Sequence, residues 1–273
     1  MATEILPASG TISTANLCSA AGASVLAATS QRTFYPKENL ITPRRSELWR
    51  AVGTGAQSLD FDLGSAQLPA IFALIDSNLG SGKTVVIQGS DVSGFSTGET
   101  YTFTTWSYAQ GAGRTLRLYR GGPDSGSATA RRYWRVTLPA SGTTEADHAL
   151  GLVWMGAMTA LEIDLGLSRK LVDRSQITRL QGGAVWADKL RVAQDIDLSV
   201  NYMTRAANHA LVDSLASVGA SSPVLLDIFG ATTDPVDKAA GCLYGYLDQG
   251  GISAAYRFAS TTDLKLAFTE AVQ

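Results

Sequence analysis

The sequence predicts a mainly β protein, with an N-terminal jelly-roll β-sandwich over residues 1–165 and a C-terminal small β-sandwich carrying one α-helix over residues 166–273. The length of 273 residues exceeds the roughly 100–200 residues of a usual domain, which favours two domains; one large sandwich is the alternative. The 27 glycines show no G-x-y period and are typical of turns in a many-stranded protein. Short segments of alternating polar and apolar residues recur between these turns, as half-buried strands require.

In the first domain the clearest strand is Ser58–Leu63, which places Leu59, Phe61 and Leu63 on one face. The first thirty residues are weakly patterned and are interpreted as an edge strand plus a loop. The apolar stretch Ala149–Leu161 is shorter than the roughly 20 residues of a membrane helix, so we expect buried strand and no membrane segment. Further strands are predicted at Pro69–Ile75, Thr84–Gln88, Thr100–Trp106, Thr115–Tyr119 and Tyr133–Leu138.

The second domain combines strands with one amphipathic helix. After the strand Val192–Tyr202, Thr204 is a suitable N-cap and Gly219 a suitable C-terminal glycine for a helix over Arg205–Val218. Its apolar stripe is predicted to contain Ala207, Leu211, Leu215 and Val218. Later strands are predicted at Pro223–Phe229, Cys242–Leu247, Ala254–Ala259 and Leu264–Phe268.

Charge and composition exclude several classes of function. The net charge of -2 gives no electrostatic case for binding nucleic acid or an anionic membrane, so no nucleic-acid sequence recognition is expected. The arginine-rich run Arg114–Arg135 is interpreted as ordinary alternating strands, with a phosphate- or glycan-facing patch as the alternative. The start of the chain lacks a signal-peptide pattern, which predicts synthesis in the cytoplasm. Cys18 and Cys242 are expected to be buried small hydrophobic residues.

No motif predicts catalysis, a metal or a cofactor. Gly80–Thr84 ends like a phosphate-binding loop, but position 77 is serine and a β-branched strand follows, so a hairpin turn is predicted. His148, placed in a polar turn, and His209, placed beside the apolar stripe, have no partner at metal spacing. The same-face acid pairs are interpreted as solvated strand faces rather than acid–base pairs, and they are Asp60/Asp62, Glu162/Asp164 and Asp195/Asp197.

Four aromatic residues in predicted loops of the first domain are the candidate ligand-binding residues. An aromatic ring covers the apolar face of a sugar, while arginine and aspartate side chains satisfy its hydroxyl groups. Most other aromatic residues of this domain are expected in the core. The candidates are Phe34, Tyr35, Phe95 and Trp106.

Residues 30–140 resemble the galactose-binding-like, or discoidin, jelly roll. The resemblance follows the order of several short motifs, since a loop ends at Trp49, a strand ends in Asp62-Leu63-Gly64, and a later strand ends in Gly89-Ser90-Asp91. An Arg-Tyr strand, Ala130–Val136, then closes the sandwich. The resemblance implies a module that binds glycans, lipids or proteins, and it assigns no particular binding residue.

Residues 170–273 resemble the sandwich-plus-helix of tail-tube and distal-tail proteins of long-tailed bacteriophages, through the strand and helix described above and the terminal segment Leu264–Val272. This resemblance implies a virion structural protein of the tail tip or baseplate, made in the host cytoplasm and assembled as a hexameric or trimeric ring. It further implies tail-tube, tape-measure and baseplate hub proteins as partners, with host glycans as a ligand of the jelly roll. The alternatives are a stand-alone carbohydrate-binding protein and, less favoured, a glycan hydrolase.

Overall fold

The structure is a computed structural model. It describes residues 8–44, 46–80, 82–104, 114–119, 129–140, 147–163, 168–173, 175–179, 185–188, 192–228, 241–256 and 261–271. These residues contain 19 strands and one α-helix, so the predicted mainly β fold class is confirmed. None of the helices in the described ranges is both long and apolar enough to cross a bilayer.

The chain forms two compact units. The sandwich unit comprises Ser13–Thr159 and Thr232–Cys242, and the helix unit comprises Met1–Ile12, Ala160–Ala231 and Leu243–Gln273. In chain order, the main segment of the sandwich unit therefore lies between two segments of the helix unit. The predicted domain boundary between residues 165 and 166 differs from the bounds of these units. The division into two domains therefore stays a prediction.

The sandwich unit contains a five-stranded sheet in the order β2-β4-β9-β6-β7, a three-stranded sheet in the order β11-β5-β8, and the short pair β10-β3. Every strand pairing within these sheets is antiparallel. The strands are β2 (Ser24–Ala28), β3 (Trp49–Arg50), β4 (Gln57–Gln67), β5 (Ile71–Ser77), β6 (Thr84–Ser90), β7 (Glu99–Thr104), β8 (Arg114–Tyr119), β9 (Arg131–Leu138), β10 (Ala149–Leu150) and β11 (Leu152–Gly156).

The two larger sheets enclose one hydrophobic core, as a sandwich requires. The predicted inner face of β4 is confirmed, since Leu59, Phe61 and Leu63 are all buried. Phe72 of β5 and Trp134 of β9 bring the two sheets together, with ring centroids 5.4 Å apart. Both side chains are fully buried, so this aromatic contact lies at the centre of the unit.

The helix unit contains a sheet in the order β12-β1-β17-β18-β19-β16-β13. β12, at one end of this order, also pairs with β16 near the other end, at Ile163 and Val200. The strands from β12 to β16 therefore form a closed hydrogen-bonded series. Such closure leaves few free strand edges. The strands are β1 (Ala8–Ser13), β12 (Thr159–Ile163), β13 (Ser168–Asp173), β16 (Val192–Thr204), β17 (Val224–Asp227), β18 (Cys242–Tyr256) and β19 (Thr261–Glu270), and a separate pair is formed by β14 (Gln176–Arg179) and β15 (Val185–Asp188).

The predicted helix is confirmed as α1 (Arg205–Val218). Thr204 caps it, because its hydroxyl accepts a hydrogen bond from the Ala207 amide at 3.2 Å. Gly219 follows with a φ of 65°, a left-handed conformation that glycine adopts without strain. Leu211 and Leu215 pack into the core as predicted.

Several local predictions are wrong. Ala207 is exposed, and Asn208 is buried on the inner face of α1 in its place. The first strand, β1, is flanked by β12 and β17 and is therefore not an edge strand. The segment Gly80–Thr84 is not a hairpin turn, because β5 and β6, which it joins, belong to different sheets. The separate strand predicted to begin at Ala254 is instead the end of β18.

Candidate ligand-binding site

A tight turn presents Phe34 to solvent in the sandwich unit. Arg32 and Tyr35 form an isolated antiparallel bridge, and the Tyr35 amide donates to the Arg32 carbonyl at 2.9 Å. Phe34 lies between them and is 88% exposed, far more than any other large hydrophobic residue in the described part of the chain. The phenyl ring therefore stands at the tip of a turn whose backbone is fixed by hydrogen bonds.

Strand β3 holds the base of this turn. The Arg32 amide donates to the Arg50 carbonyl at 2.9 Å, and the Arg50 amide donates to the Tyr35 carbonyl at 3.4 Å. The guanidinium of Arg50 lies over the Tyr35 ring, 4.8 Å from its centroid, in a cation–π contact. Tyr35 is half-buried and its ring thus supports Arg50.

Asp147 provides the negative charge of the site. Its carboxylate pairs with Arg32 and accepts a hydrogen bond from the Gly53 amide at 2.9 Å. The Gly53 hydrogen bond is the largest cause that lowers the pKa of Asp147 below its usual value, and the neighbouring Arg32 and Arg50 lower that pKa further. Asp147 is therefore ionised at neutral pH.

His148 and Asn78 position the segment that carries Asp147. Although the sequence predicts a polar turn at this position, the His148 ring is buried, and its Nε2 lies 3.0 Å from the Gly55 carbonyl. Burial lowers the pKa of His148, which leaves the imidazole neutral near pH 7. The Asn78 amide donates to the Asp147 carbonyl at 2.7 Å and accepts from the Ala149 amide at 2.9 Å.

We name Arg32, Phe34, Tyr35, Arg50 and Asp147 the rim cluster. It combines an exposed aromatic ring with guanidinium donors and a carboxylate acceptor, the groups that recognise the apolar faces and hydroxyl groups of a sugar. The structure thus brings the predicted residues Phe34 and Tyr35 together in one turn. Sequence reasoning did not select Arg32, Arg50 and Asp147, and Asp147 carries no local signal because it lies 115 residues from Arg32.

The other two predicted ligand-binding residues are not placed in this cluster. Phe95 follows β6 and is only 7% exposed, and the Arg135 guanidinium covers one face of its ring at 4.2 Å from the centroid. Its carbonyl accepts a hydrogen bond from the Gln88 amide at 3.2 Å. Trp106 lies outside the described residues.

Ion pairs neutralise the described part of the arginine-rich run on β9. Arg135 forms two hydrogen bonds with Asp60, at 2.6 and 2.8 Å, and Arg132 forms two with Asp62, both at 2.8 Å. Arg131 pairs with Asp91 and lies 3.6 Å from Glu99. The Arg132 contact is the main cause that lowers the pKa of Asp62. These pairs favour the interpretation as an ordinary strand over a phosphate-facing patch.

Reactive groups are sparse in the described ranges. Among their His, Cys, Asp and Glu side chains, no group of three is arranged to hold a metal ion. The two cysteines are buried, as predicted for small hydrophobic residues, and they are not joined in a disulfide; burial raises the pKa of the Cys18 thiol. A buried neutral thiol is a poor nucleophile.

Comparisons with known proteins found similar solved structures. No protein-family model matches the chain, and no curated protein matches it. The chain is similar to chitosan-binding module 1 of a chitosanase/glucanase from Paenibacillus sp. IK-5, with 20% identity and a TM-score of 0.39 over 52% of this chain and 99% of that chain.

Two further structures extend the comparison. The family 32 carbohydrate-binding module of NanJ from C. perfringens, solved in complex with galactose, is 13% identical, with a TM-score of 0.39 over 54% of this chain and 99% of that chain. The N-terminal domain of the single-strand break repair protein XRCC1 is 17% identical, with a TM-score of 0.40 over 49% of this chain and 95% of that chain.

Proposed function

We propose that the sandwich unit is a non-catalytic carbohydrate-binding module whose ligand site is the rim cluster. The observation that carries this proposal is the 88% exposure of Phe34 at the tip of a hydrogen-bonded turn. Because hydrogen bonds fix the backbone of this turn, the backbone loses little freedom when the ring stacks on a sugar, which reduces the entropic cost of binding. Arg32 and Asp147 lie at the base of the same turn and supply donors and acceptors.

The contacts within the cluster suit recognition rather than catalysis. Asp147 is held by Arg32 and by the Gly53 amide, so its low pKa disfavours a role as a general acid. His148 is buried behind the cluster with Nε2 on the Gly55 carbonyl, which leaves it no direct access to a bound sugar. Binding without turnover is therefore the expected behaviour.

The test is a glycan array followed by calorimetric titration of the full chain. The panel includes galactose and chitosan oligomers, the ligands named for two of the similar structures. Phe34→Ala should weaken binding roughly 30-fold, because a buried phenyl ring contributes about 2 kcal/mol. Val92→Ala is the matched control, since Val92 is 48% exposed in a different loop of the same unit.

Two results would refute this proposal. One is that the folded chain binds no glycan of the panel. The other is that Phe34→Ala and Val92→Ala bind with the affinity of the parent chain, which would place the ligand elsewhere on the sandwich unit.

A second candidate function is structural, as a tail-tip or baseplate protein of a long-tailed bacteriophage. This candidate rests on the sequence resemblance to distal-tail proteins, whose predicted order of strand, helix and strand is present in the helix unit as β16, α1 and β17. In this role the helix unit assembles into a ring with tail-tube, tape-measure and hub proteins, and the virion is the site of the mature protein.

Native mass spectrometry tests the structural candidate. A ring gives a mass three or six times the 28.7 kDa of one chain at micromolar concentration. A strictly monomeric chain, both alone and with purified tail-tube protein, argues against this role. The glycan-binding test gives an independent answer, because it depends on Phe34 in the sandwich unit and not on assembly.

A further inference from the structure

We infer that the rim cluster prefers sugars that carry an anionic group, and that Arg50 binds this group. The inference rests on the proposed function, since it names the ligand class of the same site. The observation behind it is that Arg50, unlike the other arginines described in the sandwich unit, forms no ion pair with a described residue.

Arg50 is the exception among the arginines whose side chains are described in this unit. Five of these six arginines form an ion pair with an aspartate or glutamate, namely Arg32, Arg44, Arg131, Arg132 and Arg135. Within the described residues, the Arg50 side chain has no such partner, and its buried Nε lacks any hydrogen-bond acceptor. Because the Arg50 side chain is partly exposed and has no anionic partner among the described residues, its positive charge is available to a ligand that carries an anionic group.

Asp147, the acid of the rim cluster, already has two hydrogen-bond donors. Asp147 accepts from the Arg32 side chain and from the Gly53 amide, and its interaction with Arg50 is electrostatic without a hydrogen bond. The charges of Arg32, Arg50 and Asp147 sum to +1, and the neutral His148 adds nothing. The rim cluster thus retains one positive charge on β3, the strand whose backbone is hydrogen-bonded to the turn that carries Phe34.

The geometry of Arg50 suits an oxyanion that accepts two hydrogen bonds. Stacking on the Tyr35 ring, at 4.8 Å from its centroid, fixes the plane of the guanidinium while the side chain remains partly exposed. A fixed guanidinium can form two parallel hydrogen bonds with a carboxylate or a sulfate. The ligand class is therefore a uronic-acid, sialic-acid or sulfated sugar whose ring stacks on Phe34.

The experiment compares matched acidic and neutral sugars on the full chain. Calorimetric titrations use galacturonate oligomers, sulfated galactose oligomers and neutral galactose oligomers at low and high salt. Binding of at least one acidic ligand should be about tenfold tighter than binding of the neutral one, and this preference should fall as salt rises. The galacturonate and sulfated arms distinguish the carboxylate from the sulfate.

Substitutions at two arginines test whether Arg50 causes the preference for acidic sugars. Arg50→Gln should weaken binding of the acidic sugar more than binding of the neutral sugar and so remove the acidic preference, whereas Arg44→Gln should retain the preference, since Arg44 is exposed and paired with Glu47. Arg50→Lys, which keeps the charge without the planar fork, should give an intermediate preference and serves if Arg50→Gln does not fold.

The outcomes separate this inference from the proposed function. Equal binding of acidic and neutral sugars, lost in Phe34→Ala, overturns the anionic preference but supports carbohydrate binding. An acidic preference that survives in Arg50→Gln overturns the role of Arg50. Absence of binding to every sugar overturns both proposals.

Discussion

Arg135 and Arg132 form a matched pair on β9 that tests how much the ion pairs of the outer sheet face contribute to stability. Each forms two hydrogen bonds with an aspartate of the neighbouring strand β4, Arg135 with Asp60 and Arg132 with Asp62. Their surroundings differ, because the Arg135 side chain is 31% exposed and covers Phe95, whereas the Arg132 side chain is 47% exposed. We therefore expect Arg135→Ala to destabilise the protein more than Arg132→Ala.

The magnitude follows from what Arg135→Ala leaves behind. The Asp60 side chain, 12% exposed, loses both charged hydrogen bonds, and Phe95 loses its cation–π partner. A fully buried pair would cost about 3–5 kcal/mol when broken, and the remaining exposure of Arg135 reduces this to about 2 kcal/mol. For a unit of this size the midpoint of thermal unfolding should fall by roughly 4–8 °C.

Urea and thermal unfolding, followed by circular dichroism, measure both variants against the parent chain. The single variant Asp60→Ala and the double variant Asp60→Ala/Arg135→Ala complete a double-mutant cycle, which isolates the pairwise energy from the loss of packing. A loss below about 0.5 kcal/mol for Arg135→Ala would refute the reasoning. So would a larger loss for Arg132→Ala, because exposure would then not decide the contribution.

Three further predictions concern other parts of the fold. Burial lowers the pKa of His148 below its usual 6.5, so its contribution to stability is present above pH 6.5 and is lost as pH falls through the folded-state pKa; thermal melts from pH 7 to 5 should show this loss, and His148→Asn should lack it. Thr204→Ala removes the cap of α1 and should cost about 1 kcal/mol in urea unfolding, whereas the exposed Ser217→Ala should change little. Leu215→Ala should cost about 2–5 kcal/mol because Leu215 is fully buried, and a cost near that of an exposed site would contradict the packing of α1.

Elements with strong local signals could be predicted from the sequence. The helix α1 begins and ends where Thr204 and Gly219 indicated, since capping depends only on residues within one turn of the helix end. The inner face of β4 followed from alternation alone, because neighbouring side chains of a strand point to opposite faces. In both cases the physical cause lies within a few residues of the pattern.

Features that depend on distant residues escaped prediction. β1 contains small and polar residues and reads as an edge strand, yet it lies between β12 and β17, which are separated from it by more than a hundred residues. The candidate site shows the same limit. Phe34 and Tyr35 were recognisable as loop aromatics, but Asp147 joins them only because β3 pairs with β10 at Leu150 and Ala149.

The arginines of the sandwich unit show why local charge is a poor guide to a binding surface. The run on β9 looked basic because the acids that neutralise it come from β4 and from segments near β6 and β7, which the register places beside it. Arg50 was not selected from the sequence, since it lies outside this run, at the end of β3. In the folded chain it is nevertheless Arg50 that lacks an acidic partner among the described residues, and its strand is hydrogen-bonded to the turn that carries Phe34. Positive charge available to a ligand is therefore set by pairing after folding and not by the density of arginine along the chain.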